Sequence, residues 1–342
     1  MIKKISKKVI VPSGALTIKE SQVKWYRPYK KKPTIGDVVL VQVKRLGQHQ
    51  TLENKFGRIH QIHHGTNFVG VFGNRYAPDY YESKIPKDIT NTVDMVARSG
   101  VLGKVHIKNS FVADPTKVEV LGYVCTKEGK ILNTKNFPLI VPKHTQKNTK
   151  RSKMILVCGT AMNSGKSTAA AAACWALSNL GKNVRGEKIT GPASLKDILH
   201  MNDAGESHYS DFSYLGFPST YLLSNKDVLQ IFNNLDLKYA NNPKNYWVVE
   251  LADGINQRET SMLLQHPEVR SRIHKLIFCA SGAFDSIGGI DILKKKFDLV
   301  PDAISGLCTS SPLHIQEIQK FTDIPIFNNT NVNAASLGKL ML

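Results

Sequence analysis

The chain has 342 residues and a formal net charge of +19, from 46 Lys and Arg against 27 Asp and Glu. Its length suits two domains, each large enough to bury its own core. No run approaches the roughly 20 apolar residues of a membrane span, and the start MIKKISKKVIVPSGAL lacks a secretory apolar core, so a cytoplasmic protein without transmembrane segments is expected.

The charge is unevenly divided. Residues 1–153 hold 29 Lys and Arg against 10 Asp and Glu, which is +19, while residues 154–342 hold 17 of each, which is zero. A basic half joined to a neutral one is the footprint of a partner rich in phosphate, a nucleic acid or an anionic membrane, and the same excess also suits a basic surface that serves solubility alone. Cys125, Cys158, Cys174, Cys279 and Cys308 are scattered, odd in number and without a Cys-x-x-Cys pair, so reduced, buried thiols are expected.

From residue 3 to residue 32 basic residues alternate with aromatics, ending Lys24-Trp25-Tyr26-Arg27-Pro28-Tyr29-Lys30-Lys31-Lys32. Cations beside stacking faces suit RNA or single-stranded DNA, and the same composition also suits a solvated arm. Apolar/polar alternation then predicts short strands at 37–43, 57–62, 68–73, 103–107 and 118–124, hence a small barrel or sandwich. His60, His63 and His64 have no carboxylate close by and fit a surface or nucleic-acid contact better than a metal set. Arg75, Tyr76, Tyr80 and Tyr81 share one loop, where they offer either a ligand surface or ordinary packing. The polar stretch 143–153 reads as a linker between a basic β-rich domain, 1–142, and a second domain, 154–342.

At 154–158 a short apolar run predicts a buried parallel strand, and from 167 to 180 dense Ala and Leu predict a helix stopped by Gly181. Between them stands Gly159-Thr160-Ala161-Met162-Asn163-Ser164-Gly165-Lys166-Ser167, the P-loop pattern with one extra residue between its glycines. A triphosphate needs inward backbone N–H groups, a helix N-terminus, a lysine for the β/γ oxygens and a hydroxyl for magnesium. Gly159, Thr160, Asn163, Ser164, Gly165, Lys166, Ser167 and Thr168 are the matching group. Beyond them strand and helix alternate, with strands expected near 184–189, 246–251, 275–280, 303–307 and 324–327. The expected fold is therefore an α/β parallel-sheet P-loop NTPase domain behind a smaller β-rich one. Ligands in such sheets sit at the carboxyl ends of strands, where Lys188, Glu250, Asp253, Ser281 and Thr309-Ser310-Ser311 fall. Ser310 and Ser311 also suit a helix cap. Asp211, Ser219, Thr220 and Tyr221 are candidate substrate contacts, and Arg258 is the best remaining cation for a second substrate.

The loop with five residues between its glycines, opening Gly159-Thr160, resembles that of dethiobiotin synthetase and its relatives. The resemblance covers roughly residues 154–330 and is specific only in the loop. It implies that Lys188 helps neutralise phosphates, that Asp203 in Asn202-Asp203-Ala204 is linked to magnesium, and that Glu250 is the metal-associated acid ending its strand. Ser167, Asp203 and Glu250 are thus the expected magnesium group, with Asp211 and Asp253 in reserve. The chain departs from the family after Glu250, where Leu251 and Asp253 stand. Partition-type ATPases carry a lysine where this chain has Thr160.

Two functions follow. One is an ATP- and Mg2+-dependent enzyme that transfers a phosphoryl group to an acceptor or ligates it, with Lys166, Lys188, Glu250 and Arg258 as catalytic residues. The acceptor is a carboxylate or carbamate if the family resemblance extends to function, or a polynucleotide hydroxyl if the β domain presents RNA. The other is a non-enzymatic ATP-driven switch that changes how the basic domain grips its partner. The absence of an Asn-Lys-x-Asp guanine signature favours ATP. A homodimer is an open arrangement.

Overall fold

The computed structural model describes residues 1–6, 8–28, 31–89, 92–142 and 146–342. Tyr29 and Lys30 of the basic arm and Thr145 of the polar stretch lie outside them. The chain forms two compact units: residues 1–140 with 191–196 and 212–222, and residues 141–190 with 197–211 and 223–342.

The first unit is built from β1 (Lys3–Lys4), β2 (Trp25–Arg27), β3 (Val38–Arg45), β4 (Thr51–Glu53), β5 (Ile59–Gln61), β6 (Asn67–Phe72), β7 (Arg75–Tyr76), β8 (Tyr81–Lys84), β9 (Val93–Met95), β10 (Val101–Lys108) and β11 (Thr116–Cys125). Five of these close a ring: β11 pairs β3, β3 pairs β6, β6 pairs β10 in parallel, β10 pairs β9, and β9 returns to β11. Closure removes the exposed edges that an open sheet would leave. The period-2 pattern of β3 divides its side chains. Val39, Val41 and Val43 pack with Leu52, Ile62, Phe68 and Phe72, while Val38 and Leu40 pack with Val11, Ile18, Val69 and Val71. Two segments distant in sequence complete this unit. Leu195 N donates to Glu53 (2.9 Å), and the Thr134 hydroxyl donates to the Gly216 carbonyl (2.6 Å).

The second unit holds β12 (Lys153–Gly159), β13 (Asn183–Lys188), β14 (His208–Asp211), β15 (Asn245–Glu250), β16 (Ile273–Cys279) and β17 (Ala303–Ser305) in one parallel sheet, ordered β14-β13-β15-β12-β16-β17. Its helices are α1 (Lys166–Asn179), α2 (Leu195–Asp203, whose first two residues belong to the first unit), α3 (Asn225–Tyr239), α4 (Arg258–Gln265), α5 (Pro267–Arg270), α6 (Ala283–Phe297), α7 (Pro312–Gln319) and α8 (Ala334–Met341). The alanines of α1 are the reason it lies so close to the sheet. Ala169, Ala170, Ala173 and Ala176 pack on Ile155, Val157, Val184, Val248 and Ile277, with Leu337 and Met341 of α8 in the same cluster. The five cysteines are free and buried. Where a strand was expected at 324–327 there is only a single parallel bridge, Ile304 to Ile326. No helix among the described residues is long and apolar enough to cross a membrane.

Glu206 is a buried oddity of this unit. It is 4% exposed, both its carboxyl oxygens lack a hydrogen-bond partner among the described residues, and one of them occupies the space a Cβ on Gly186 would fill. Burial, and then the neighbouring Glu187, push its pKa up to about 10. A carboxyl raised on folding adds stability below its unfolded pKa and loses it as pH climbs towards the folded value. Glu206→Gln is therefore expected to match the parent at pH 4 and to exceed it by roughly 5 kcal/mol at pH 8. Thermal melts of both proteins across that range check this, and parallel curves would refute it.

Candidate phosphate-binding site

The loop 159–167 leaves the C-terminal end of β12 and runs into α1, and backbone from several strand ends clasps it. Thr160 N donates to Cys279 O (2.9 Å), Ile255 N to Gly159 O (2.9 Å) and Leu307 N to Ser164 O (3.2 Å), while Asn329 Nδ2 donates to Gly165 O (3.2 Å). Two glycines are required by space and by backbone angle. A Cβ on Gly159 would sit 2.5 Å from the Cys279 carbonyl oxygen, and Gly165 has φ +93° with its missing Cβ 2.8 Å from Gly306 Cα. Asn163 also takes the left-handed region, at φ 59°.

Lys166 opens α1 and is 6% exposed. Its ammonium donates to the Ala161 carbonyl (2.5 Å) and the Ser164 hydroxyl (3.3 Å), so it caps its own loop. Burial lowers its pKa, with Glu250 pulling the other way. The Ser167 hydroxyl donates to Glu250 Oε1 (3.1 Å). Glu250 ends β15 at 1% exposure, and its other oxygen, Oε2, is buried without a hydrogen-bond partner among the described residues. Its pKa is raised, by burial first, against the pull of Lys188.

Lys188, at the end of β13, stands 3.5 Å from Glu250 and forms a close ion pair with Asp197 of α2. Burial works against its charge, but Asp197 and Glu250 outweigh that and raise its pKa. Lys166, Ser167, Glu250 and Lys188 thus gather at one place, as the strand ends suggested. Asp211 is the register partner of Lys188 on β14 and is fully buried.

Asp203 does not share these contacts. It stands with Thr168, Trp175, His200 and Asn331 on a groove of about 440 Å³ that follows α1 away from the loop. Asp203 ends α2, whereas Asp197, two turns earlier, is the carboxylate this helix brings to Lys188. Arg258 is also elsewhere engaged, donating to the Leu223 carbonyl (2.9 Å) and to Glu259 (2.6 Å). Ser311 caps α7, accepting from His314 N at 3.5 Å, and Thr309 donates to the Gly306 carbonyl, so both have local structural roles. Ser219, Thr220 and Tyr221 fall in the first unit, where Thr220 bonds to Gly191 and Tyr221 donates to Glu82.

Two acids the sequence reading passed over are Asp197 and Asp285. Asp285 accepts from Ser281 N (2.8 Å) and the Thr160 hydroxyl (3.4 Å), tying α6 to the loop. Both lie in first helical turns, where an acid is already expected for the dipole.

In the first unit the tyrosine loop is packed. Tyr80 stacks on His49 (5.7 Å), Arg75 lies over Tyr80 and donates to His49 Nε2 (3.0 Å), Tyr81 donates to Ala113 O, and Tyr76 meets Tyr221. His49 is held neutral, pushed down to about 3 by burial and then by Arg75. His60 shares a hydrogen bond with the Asn54 amide, and no cluster of three His, Cys, Asp or Glu suited to a metal occurs among the described residues.

No protein-family model and no curated protein matches the chain. Among solved structures, it is similar to the signal recognition particle receptor FtsY from Elizabethkingia anophelis in complex with GDP, at 10% identity and TM-score 0.36, covering 58% of this chain and 66% of that one. It is also similar to chloroplast FtsY from Physcomitrella patens, at 9% identity and TM-score 0.37, covering 59% and 69%. A ParA family ATPase from Chlorobium tepidum TLS gives 13% identity and TM-score 0.34, covering 56% and 90%.

Proposed function

We propose that the second unit binds a nucleoside triphosphate with Mg2+ and moves its γ-phosphoryl group to an acceptor. The observation that carries this is the clasped loop itself: a strand, a nine-residue turn closed by Gly165-Lys166-Ser167, and the N-terminus of α1 behind it. Backbone N–H groups and the helix end supply fixed positive potential, and the Lys166 ammonium, held now by the Ala161 carbonyl of the same loop, would turn to the phosphates. In doing so it exchanges the Ala161 carbonyl for phosphate oxygens.

The Ser167 hydroxyl and the Glu250 carboxylate, with its unsatisfied buried Oε2, fit a magnesium ion held directly or through water. Bound there, magnesium would neutralise charge on the phosphates. As no cluster of three His, Cys, Asp or Glu suited to a metal occurs among the described residues, phosphate and water oxygens would complete its shell. The groove along Thr168, Ala172 and Trp175 continues from the loop and suits the nucleoside, with ATP the favoured nucleotide.

Lys188 and Arg258 are both engaged, by Asp197 with Glu250 and by Glu259 with Leu223. This favours, as a second reading, a nucleotide-driven switch whose output is a change of state. The charge of the N-terminal half supports a polyanion, RNA or single-stranded DNA, as the partner. Incubation with γ-labelled ATP, Mg2+ and short RNA separates the readings. Label in an acceptor supports transfer, and label released as phosphate supports the switch. Label left wholly on ATP defeats both. Ser167→Ala is expected to weaken Mg2+-dependent nucleotide binding about tenfold, the scale of one hydrogen bond to a charged group, and to leave binding in EDTA unchanged. Equal Mg2+ dependence in parent and variant would remove Ser167 from the metal site.

A further inference from the structure

The first unit carries a cavity remote in sequence from the phosphate loop, with about 470 Å³ of space. β2 and the hairpin that follows β11 build it. Trp25 is the register partner of Cys125, and Cys125 bridges to Ile131 across a tight turn in which Thr126 N donates to Lys130 O and Gly129 takes φ +88°. That turn aims Lys127 and Lys130 at the same space as Lys24 and Trp25, while Ile131, Leu132 and Phe137 line its apolar side.

The turn holds one exposed acid, Glu128, whose carboxyl is held below its usual range by the Thr126 hydroxyl and, less strongly, by Lys127. Lys24, Lys127 and Lys130 take part in none of the ion pairs found among the described residues. On the adjoining edge strand β1, Lys4 pairs in register with Trp25 and Lys3 with Tyr26, and both lysines are exposed. Lysines on an edge strand guard against strand addition, which explains Lys3 and Lys4. It does not explain two more on a turn that frames a cavity lined by an indole and a phenyl ring.

We propose that this cavity binds single-stranded nucleic acid, taking an unstacked base against Trp25 and Phe137 and its flanking phosphates on Lys24, Lys127 and Lys130. A concave aromatic pocket admits a base only when it is free of a duplex, and a ring of lysines fixes a backbone without reading sequence. The proposal rests on the polyanion reading of the N-terminal half and is independent of the phosphate loop.

Anisotropy of the full chain with a labelled oligouridylate across a potassium chloride series tests it. Trp25→Ala is expected to weaken binding by about 5- to 100-fold without altering the salt slope, as loss of one stacked base would. Trp25→Phe should retain most of the affinity and guards against a misfolded variant. The triple variant Lys24→Gln, Lys127→Gln, Lys130→Gln should flatten the slope of log K against log salt by about 2, from three phosphate contacts on a single strand. A parent that binds strongly while both the Trp25→Ala and the triple variant bind as well as it does would overturn the site but keep the polyanion reading. No binding by the parent at low salt would overturn both. Phosphatidylglycerol vesicles that bind the parent and lose it in the same variants would overturn it in favour of a membrane.

Discussion

Lys166→Ala is expected to weaken nucleotide binding by about 100-fold or more while leaving the melting temperature nearly unchanged. Lys166 makes its hydrogen bonds to Ala161 and Ser164 of its own loop and joins no ion pair among the described residues. Its ammonium is buried, and desolvation already disfavours its charge. Removing it therefore takes little from the fold. Removing it from a bound triphosphate is different, because a buried ammonium on phosphate oxygens is a charge-assisted contact worth roughly 1.5–3 kcal/mol net, and more where the phosphates are left unneutralised. A loss of at least about 100-fold in affinity follows, read by titration of a fluorescent nucleotide analogue. Affinity within a few-fold of the parent would show that the loop does not hold phosphates through Lys166.

The second large effect concerns stability. Asp236 of α3 is fully buried and stands among three cations: Arg272 donates to one of its oxygens through Nε (3.1 Å) and Nη2 (3.0 Å), Arg151 bonds closely to the other, and Lys147 lies 4.0 Å away. Arg272 is itself 9% exposed and lies over the Trp247 ring. Asp236→Ala leaves the buried Arg272 and the half-buried Arg151 without this acid, and breaking a buried network in this way costs about 3–5 kcal/mol. For a unit of this size the melting temperature should fall by on the order of 10 °C. Arg270→Ala, which removes the exposed pair with Asp298, should cost under about 1 kcal/mol and serves as the comparison. Similar melting temperatures for Asp236→Ala and Arg270→Ala would mean that the buried network contributes no more than a surface pair.

What could be read from the sequence was local. The phosphate loop is contiguous, and the types of its residues follow from what a phosphate demands. The run 154–158, the alanine-rich α1 and the strands at 183–188, 245–250 and 273–279 are period signals contained in short windows. β14 was missed because His208-Tyr209-Ser210-Asp211 carries no apolar run, its place in the sheet being fixed by its register with β13. β7, β8 and β9 are two to four residues long, too short for alternation to show, yet β9 closes the barrel. Membership of 191–196 and 212–222 in the first unit depends on contacts such as Glu53 to Leu195 and Thr134 to Gly216, which no window of sequence contains. The site was legible in part for the same reason. Lys166, Ser167 and Glu250 follow from motif and strand end, whereas choosing Asp197 over Asp203 requires knowing which turn of α2 faces Lys188.

Calorimetric titration of the full chain with ATP, and separately with GTP, in Mg2+ and in EDTA is the most direct test that this fold holds a nucleoside triphosphate at its loop. One nucleotide bound per chain, tightened by Mg2+ and weakened in Lys166→Ala, is the result expected. No heat and no competition by either nucleotide at millimolar concentration, from a protein that melts cooperatively, would contradict it.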